Sequence, residues 1–369
     1  MFAIIEFCAF IDYLTLEHHG TTHSPAAGNE KNSDKYMADK IYDLTLNFWN
    51  SAVIRAGVKL NLFNLLEKQA LSPTEVSQHI KASNPRFIQA FLDACAILGL
   101  LEKEGDKFTN SAISNEFLVP HQPKYLGDYV CHITNYWHTW GKLDTLLLEG
   151  RTELPFENCF TDVPTYWTDY MKAQHNRAMM GQGAKLVENV DLNGKQKLLD
   201  LGGGTGSYSI ALCAANPQLK SVVVDQKEPL DIARKIVDEH DLANRITLVE
   251  GDFNTIKLDS DYDAVLISGV IVLLSEEENR HVFLRAYNAL LPGGLIIVQD
   301  FMRIDHKPTR QFLDTMMDLY LLVGFAPSAG DRSGDEVASW LKGTGFVNVK
   351  QIPLPTQQLA LIIAEKPAK

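Results

Sequence analysis

Apolar residues return at three- and four-residue intervals through "IYDLTLNFWNSAVIRAGVKLNLFNLL", residues 41 to 66, which is the spacing of one helix face and predicts two helices there. "SPTEVSQHI" opens with Ser72, Pro73 and Glu75, a capping box with proline at the first helical position. "NPRFIQAFLDACAILGLL" repeats the device, with Asn84 as cap, Pro85 as first residue and Gly99 as terminator. "LEKEGDKFTNS" then reads as a hairpin around Gly105. Short helices followed by a hairpin make a winged helix. The helix that would enter a DNA groove carries Arg86 against Asp93 and is otherwise apolar, so packing or dimerisation is favoured over nucleic-acid binding.

Helical patterning continues through residues 121 to 184, rich in Tyr125, Tyr129, Tyr136, Trp137, Trp140, Tyr166, Trp167 and Tyr170. Most of these rings serve as core, but helices joining a helical domain to an α/β domain often line a cleft, and "HITNYWHTW" is the stretch expected to face a ligand. After Lys195 the pattern changes to short apolar runs alternating with helices: "KLLDLG", "SVVVDQ", "ITLVEGD", "YDAVLISG", "GGLIIVQDF", "VNVKQIPL" and "QLALIIAEK". Buried runs alternating with helices predict a Rossmann-like, doubly wound, mostly parallel sheet from about residue 185 to the end.

The remaining features narrow the class. A net charge of -12 over 369 residues disfavours nucleic acid and anionic lipid as partners and favours a small molecule. The 5 cysteines are far apart and form no metal-ligand spacing, which suggests reduced thiols in a cytosolic protein without a metal site. The oily stretches fall short of a membrane span. Residues 1 to 36 read as a flexible extension, apolar at first and then turn-forming, with Met37 opening the helical pattern. The expected organisation is therefore an extension (1–36), a winged-helix domain (37–120), a helical linker lining the cleft (121–184) and a cofactor-binding domain (185–369).

"LLDLGGGTGSYSIAL" sets Asp200 at the end of a strand and Gly202, Gly203, Gly204 and Gly206 in the turn before a helix, where backbone can approach a ligand closely. The next strand ends in Asp225, placed to hold both hydroxyls of a ribose. The third ends in "EGDF", which offers Asp252 and Phe253 to an adenine ring.

Together with "ALLPGGLIIVQDF", these motifs resemble those of class I S-adenosylmethionine-dependent methyltransferases. The winged front domain ending in "YMKAQHNRAMM" resembles the small-molecule branch that holds the caffeic-acid-type and acetylserotonin O-methyltransferases and the bacteriochlorophyllide C-20 methyltransferase. The likeness covers about residues 40 to 367. It implies S-adenosyl-L-methionine as cofactor, a small-molecule acceptor and a homodimer formed through the front domain. It further implies cofactor contacts from Asp200, Gly202, Gly203, Gly204, Asp225, Gln226, Asp252, Phe253 and Ser268. Acceptor contacts are expected from Tyr136, Trp137, His175, Asn176, Met179 and Arg332.

One stretch departs from the resemblance. In "SGVIVLLSEEEN", residues 268 to 279, the likeness puts Val272 where the branch carries its base histidine, and Ser268 where many plant members have a lysine. Asp300 matches a glutamate that steers the histidine, and a second such glutamate aligns with Gly334. A phenol or alcohol must lose a proton to be methylated, whereas a thioether, a neutral amine or an electron-rich carbon need not lose one first. The apolar loop therefore points to a self-sufficient nucleophile, for example the thioether of 4-methylthio-2-hydroxybutyrate or a tetrapyrrole carbon. Tyr136, His138 or His175 would be the source of a base for an oxygen acceptor, with Tyr136, His138 and Asp300 the catalytic candidates. His132 lies on the same aromatic helix, and Arg177, Arg303, Arg310 and Arg332 are candidates for a substrate carboxylate. Rival readings are a cofactor-binding protein that transfers no methyl group, a DNA-binding regulator and a nicotinamide dehydrogenase.

Overall fold

Local signals set the first part of the chain. Ser72 Oγ accepts from Glu75 N–H while Glu75 Oε2 accepts from Ser72 N–H at 2.8 Å, closing the capping box. Asn84 Oδ1 accepts from Arg86 N–H at 3.0 Å, and Gly99 takes the left-handed φ of 71° that follows the helix. The computed structural model describes residues 30–304, 312–354 and 359–368 and divides the chain into two units at Gln122. In the first unit α1 (Glu30–Lys59), α2 (Pro73–His79) and α3 (Pro85–Ile97) precede an antiparallel hairpin, β1 (Leu101–Glu104) and β2 (Lys107–Asn110), which pairs Leu101 with Asn110 and turns at Gly105. Phe63, Val76, Leu92, Cys95 and Phe108 are fully buried in this unit. Helix α1 begins at Glu30, so residues 30 to 36 belong to it and not to an extension. The residues before Glu30 lie outside the described residues. Along α1, Ile41, Tyr42, Leu44, Phe48 and Trp49 are exposed.

The second unit is a sheet covered by helices: α4 (Gly127–Asn135), α5 (Val163–Arg177), α6 (Gly183–Asn189), α7 (Ser207–Ala215), α8 (Lys227–Glu239), α9 (Glu276–Ala289), α10 (Phe312–Gly324) and α11 (Gly334–Thr344). Its strands are β3 (Lys197–Leu201), β4 (Lys220–Asp225), β5 (Ile246–Glu250), β6 (Tyr262–Ser268), β7 (Leu290–Arg303), β8 (Arg332–Ser333), β9 (Val347–Pro353) and β10 (Leu359–Glu365). The order is β5-β4-β3-β6-β7-β10-β9, with β8 beside β7. β3 to β7 run parallel, while β10 is antiparallel to both neighbours. All seven apolar runs of the sequence are strands; the two-residue β8 carried no such signal.

Alternation along the strands explains the layers. Leu199, Val265, Ile267, Ile296 and Val298 pack with Val282, Phe283, Trp340 and Leu341 of α9 and α11. Leu198, Ala264, Leu266 and Ile297 pack on the other face with Leu186, Ile210, Leu212 and Ile236 of α6, α7 and α8. The chain winds outward from β3 through β4 to β5, then resumes at β6 on the other side of β3. That reversal opens a crevice at the carboxyl ends of β3 and β6, where ligands of such sheets bind. No helix among the described residues is long and apolar enough to cross a membrane.

Candidate active site

A cavity of about 260 Å³ occupies this crevice, bounded by the loops after β3, β4, β5, β6 and β7 and by α4, α5 and α10. The glycine turn forms its floor. Gly202 and Gly204 hold φ of 68° and 54°, and a Cβ on Gly202 would stand 2.7 Å from Val270 Cγ2. A Cβ on Gly203 would stand 2.6 Å from Asp200 Cγ and 2.7 Å from Val223 Cγ1. Asp225 braces the turn: Oδ2 accepts from Gly204 N–H at 2.8 Å and Oδ1 from Gln226 N–H at 2.7 Å. Burial raises the pKa of its carboxyl against the pull of those two bonds. Gln226, Phe253 and Ser268 complete this side of the lining.

The loop after β6 is held by its main chain. Asp300 is fully buried; Oδ2 accepts from Ile271 N–H at 2.9 Å and Oδ1 from Phe301 N–H at 2.8 Å, and the nearby Val272 amide helps to hold down the pKa of this carboxyl. Burial pushes the Asp300 carboxyl up to about 7 against those amides and the Arg177 charge. From the opposite side buried Asn279 donates to the carbonyls of Ile271, Leu274 and Ser275, and Gly330 N–H donates to Val272 O at 2.8 Å. The acids of "SEEEN" serve the next helix, since Ser275 and Glu278 form the capping box of α9. The side chains this loop gives to the cavity are Val270, Val272, Leu273 and Leu274.

The remaining wall is aromatic, with Tyr129, Trp167, Tyr170, Tyr320 and Phe325. His132 stands among them, its Nε2 at 2.9 Å from Tyr320 Oη and its Nδ1 buried without a partner. Burial, and behind it the Arg177 guanidinium, pushes the His132 imidazole down to about 3. Burial drives the Tyr170 and Tyr320 phenols far above their ordinary range. Gln299 lines the same space; its Nε2 donates to Ser268 Oγ at 3.1 Å and its Oε1 is buried without a partner. Gln299 and Tyr320 were not singled out in the sequence, and Tyr170 was read only among the aromatic residues of its helical stretch, because an amide next to an aspartate or a tyrosine within a helix carries no spacing signal.

The structure thus gathers Gly202, Gly203, Gly204, Asp225, Gln226, Phe253, Ser268, Val272 and Asp300 around one cavity. His132 and Arg177 line it as well, and the other expected residues do not. Asp200 lies beneath the turn, bound by Ser209 Oγ at 2.6 Å and pushed by burial up to about 7. Asp252 is exposed and caps the turn after β5 through Asn254 N–H at 2.8 Å. Tyr136 points into an aromatic core: its hydroxyl lies 3.0 Å from Tyr166 Oη and donates to Gly324 O, and burial puts it out of range as a base. His138 is exposed, edge-on to Phe160, and Trp137 is also outside the lining. His175 sits one layer back, its Nδ1 at 2.8 Å from Ser207 Oγ, with burial and then His240 lowering it to about 4. Asn176 joins α5 to α4 through Tyr129 N–H and Asp128, and Met179 is exposed. Arg332 donates to the carbonyls of Leu274 and Ser328, and Arg303 pairs with Asp331. Arg310 lies outside the described residues.

Residues 134–347 match the model of the O-methyltransferase domain, and residues 42–120 match the O-methyltransferase dimerisation domain. The chain belongs to the O-methyltransferase family and is an S-adenosylmethionine-dependent methyltransferase of small molecules. It is similar to the 3-hydroxy-5-methyl-1-naphthoate 3-O-methyltransferase of Streptomyces sahachiroi, 26% identical over 84% of this chain and 90% of that one. It is also similar to the N,N-dimethyltransferase OxyT of Streptomyces rimosus, 28% identical over 90% of this chain and 97% of that one. The crystal structure of human N-acetylserotonin methyltransferase in complex with SAM shares the fold, with a TM-score of 0.79 at 22% identity over 93% of this chain and 100% of that one. The cofactor is S-adenosyl-L-methionine, and the cavity fits it: a floor that a side chain at 202 would fill, a carboxylate beside that floor and an aromatic face at Phe253.

Two expectations follow. In Gly202→Ala the added methyl stands 2.7 Å from Val270 Cγ2 in the cavity lining, at a φ of 68°, and overpacking of about 1–3 kcal/mol should weaken S-adenosylhomocysteine roughly 5- to 150-fold in calorimetric titration. Wild-type affinity in that variant would remove the turn from the binding site. Asp200 and Asp300 keep in the folded chain, up to about 7, a proton that the unfolded chain gives up near the ordinary aspartate value of 3.8. Their contribution to stability is complete below that lower value and is lost as pH rises through about 7. Thermal melts of Asp300→Asn from acid to neutral pH should show a shallower fall than the wild type, and parallel curves would contradict the assignment.

Proposed function

We propose that the enzyme methylates a small molecule whose reacting atom brings its own lone pair or electron density: a thioether sulfur, as in 4-methylthio-2-hydroxybutyrate, or a nitrogen or carbon. S-adenosylmethionine supplies a methyl group on a sulfonium that departs as a neutral thioether. The glycine turn with Ser268 and Gln299 would hold its methionyl part, Asp225 and Gln226 its ribose and Phe253 its adenine. Asp252 and Asp200 would act from behind, by shaping the turns that carry these contacts.

The observation that carries the reading is the state of the titratable groups around the acceptor space. Val272 takes the place of the base histidine on this reading, and the Asp300 carboxyl behind it is committed to backbone amides. His132 is neutral with a pKa near 3, a poor proton acceptor at neutral pH, and the tyrosines are too weakly acidic to exchange protons there. Methyl transfer then depends on positioning by the aromatic wall and the pinned loop. An oxygen acceptor remains a second reading because His132 lines the cavity and its Nδ1 has no hydrogen-bond partner.

Radiolabelled S-adenosylmethionine offered with methylthio acids, amines, phenols and porphyrins decides between them. A labelled sulfonium, amine or carbon product is expected, with kcat/KM level from pH 6 to 9 and His132→Phe within about tenfold of wild type. A labelled ether together with a loss of about 10²–10⁴-fold in His132→Phe would make His132 the base. Cofactor binding without label in any product would favour a non-methylating enzyme.

The exposed apolar residues of α1 and the match to a dimerisation domain support a homodimer formed through the front unit. Phe48→Ser with Trp49→Ser should shift the mass found by light scattering from dimer toward monomer. A wild-type chain that is already monomeric at micromolar concentration would end this reading.

A further inference from the structure

Transfer to a neutral nucleophile leaves one charged feature of the cavity without a task. Arg177 closes α5 and lines the cavity, its guanidinium 4.6 Å from the centroid of Phe301 at the end of β7. One N–H donates to Gln174 Oε1 at 3.2 Å, and among the described residues no carboxylate forms an ion pair with it. Arg303, by contrast, is paired with Asp331, and Arg332 is spent on backbone carbonyls. A half-buried guanidinium with open donors in an aromatic, poorly hydrated space is a strong site for a planar anion.

We infer that the acceptor carries a carboxylate, held by the Arg177 guanidinium. The inference deepens the proposed function and rests on it for the identity of the site.

The order of the strands separates this anion from the cofactor. Phe253, Asp225, the glycine turn and Ser268 follow β5, β4, β3 and β6 in their spatial order, and Arg177 lies beyond them over β7. His132 and Tyr320 belong to α4 and α10, away from the turn. The Asp300 carboxyl in the same neighbourhood does not compete, because its oxygens are taken up by amides of the pinned loop.

The test titrates the full chain, saturated with S-adenosylhomocysteine, with 4-methylthio-2-hydroxybutyrate and 3-phenylpropionate and with the amide of each. At least one acid should bind about 10- to 150-fold more tightly than its amide, the range expected for hydrogen bonds to a charged group. Arg177→Gln should abolish that difference, and Arg177→Lys should restore part of it. Retained affinity for S-adenosylhomocysteine in both variants serves as the check that they fold. Equal binding of acids and amides by the wild type would overturn the inference. So would a loss of about tenfold in S-adenosylhomocysteine affinity in Arg177→Gln with the acid preference intact, which would assign the guanidinium to the cofactor's own carboxylate. A phenolic acid that binds selectively and is methylated on oxygen would keep the carboxylate site and overturn the self-sufficient nucleophile. A sulfonium product with no preference for acids would do the reverse.

Discussion

The acceptor side of the enzyme depends on how the main chain from Val270 to Leu274 is held. Backbone amides and carbonyls left in an oily crevice cost free energy unless each finds a partner. Here the amide of Ile271 ends on Asp300, and the carbonyls of Ile271, Val272 and Leu274 are met by Asn279, Gly330 and Arg332. With these groups satisfied, the loop can turn apolar side chains toward a ligand without leaving polar atoms stranded. The buried carboxyl of Asp300 is thus a structural element whose charge is spent on shape.

Burial sets the electrostatics of the rest of the site in one direction. It raises Asp200, Asp225 and Asp300, lowers His132 and His175, and puts the tyrosine hydroxyls beyond reach. Desolvation disfavours every charged form, so the same dryness that disarms bases strengthens any attraction between Arg177 and an anion. Gln299 and His132, which both line the cavity, each keep one buried polar atom without a hydrogen-bond partner, Oε1 and Nδ1.

Much of this was legible beforehand, and the reasons differ by element. The glycine turn, Asp225 and the end of β5 are read from local chain geometry, since a strand, a tight turn and a helix follow one another within a dozen residues. The caps at Ser72, Asn84 and Ser275 are local for the same reason. The aromatic wall is not local. Tyr136 follows His132 at helical spacing and was expected to face the ligand with it, but α4 ends at Asn135 and the chain turns the ring into the core beside Gly324. His138, three residues after that break, ends at the surface. Tyr320 meets His132 across 188 positions of sequence, and no periodicity reports such a pair. Helix α1 extends upstream of Met37 because the polar residues from Glu30 tolerate a helix even though they lack the apolar spacing that would announce one.

Holding a loop through its main chain uncouples its shape from the side chain at its centre. The amide of residue 271 reaches Asp300, and the carbonyl of residue 272 reaches Gly330, whatever side chain stands at 272. The side chain that this position gives to the cavity can therefore be exchanged by a single codon change while the scaffold stays in place. A fold built in this way can move between acceptor elements over evolutionary time through small steps, each leaving a folded, cofactor-binding protein for selection to act on.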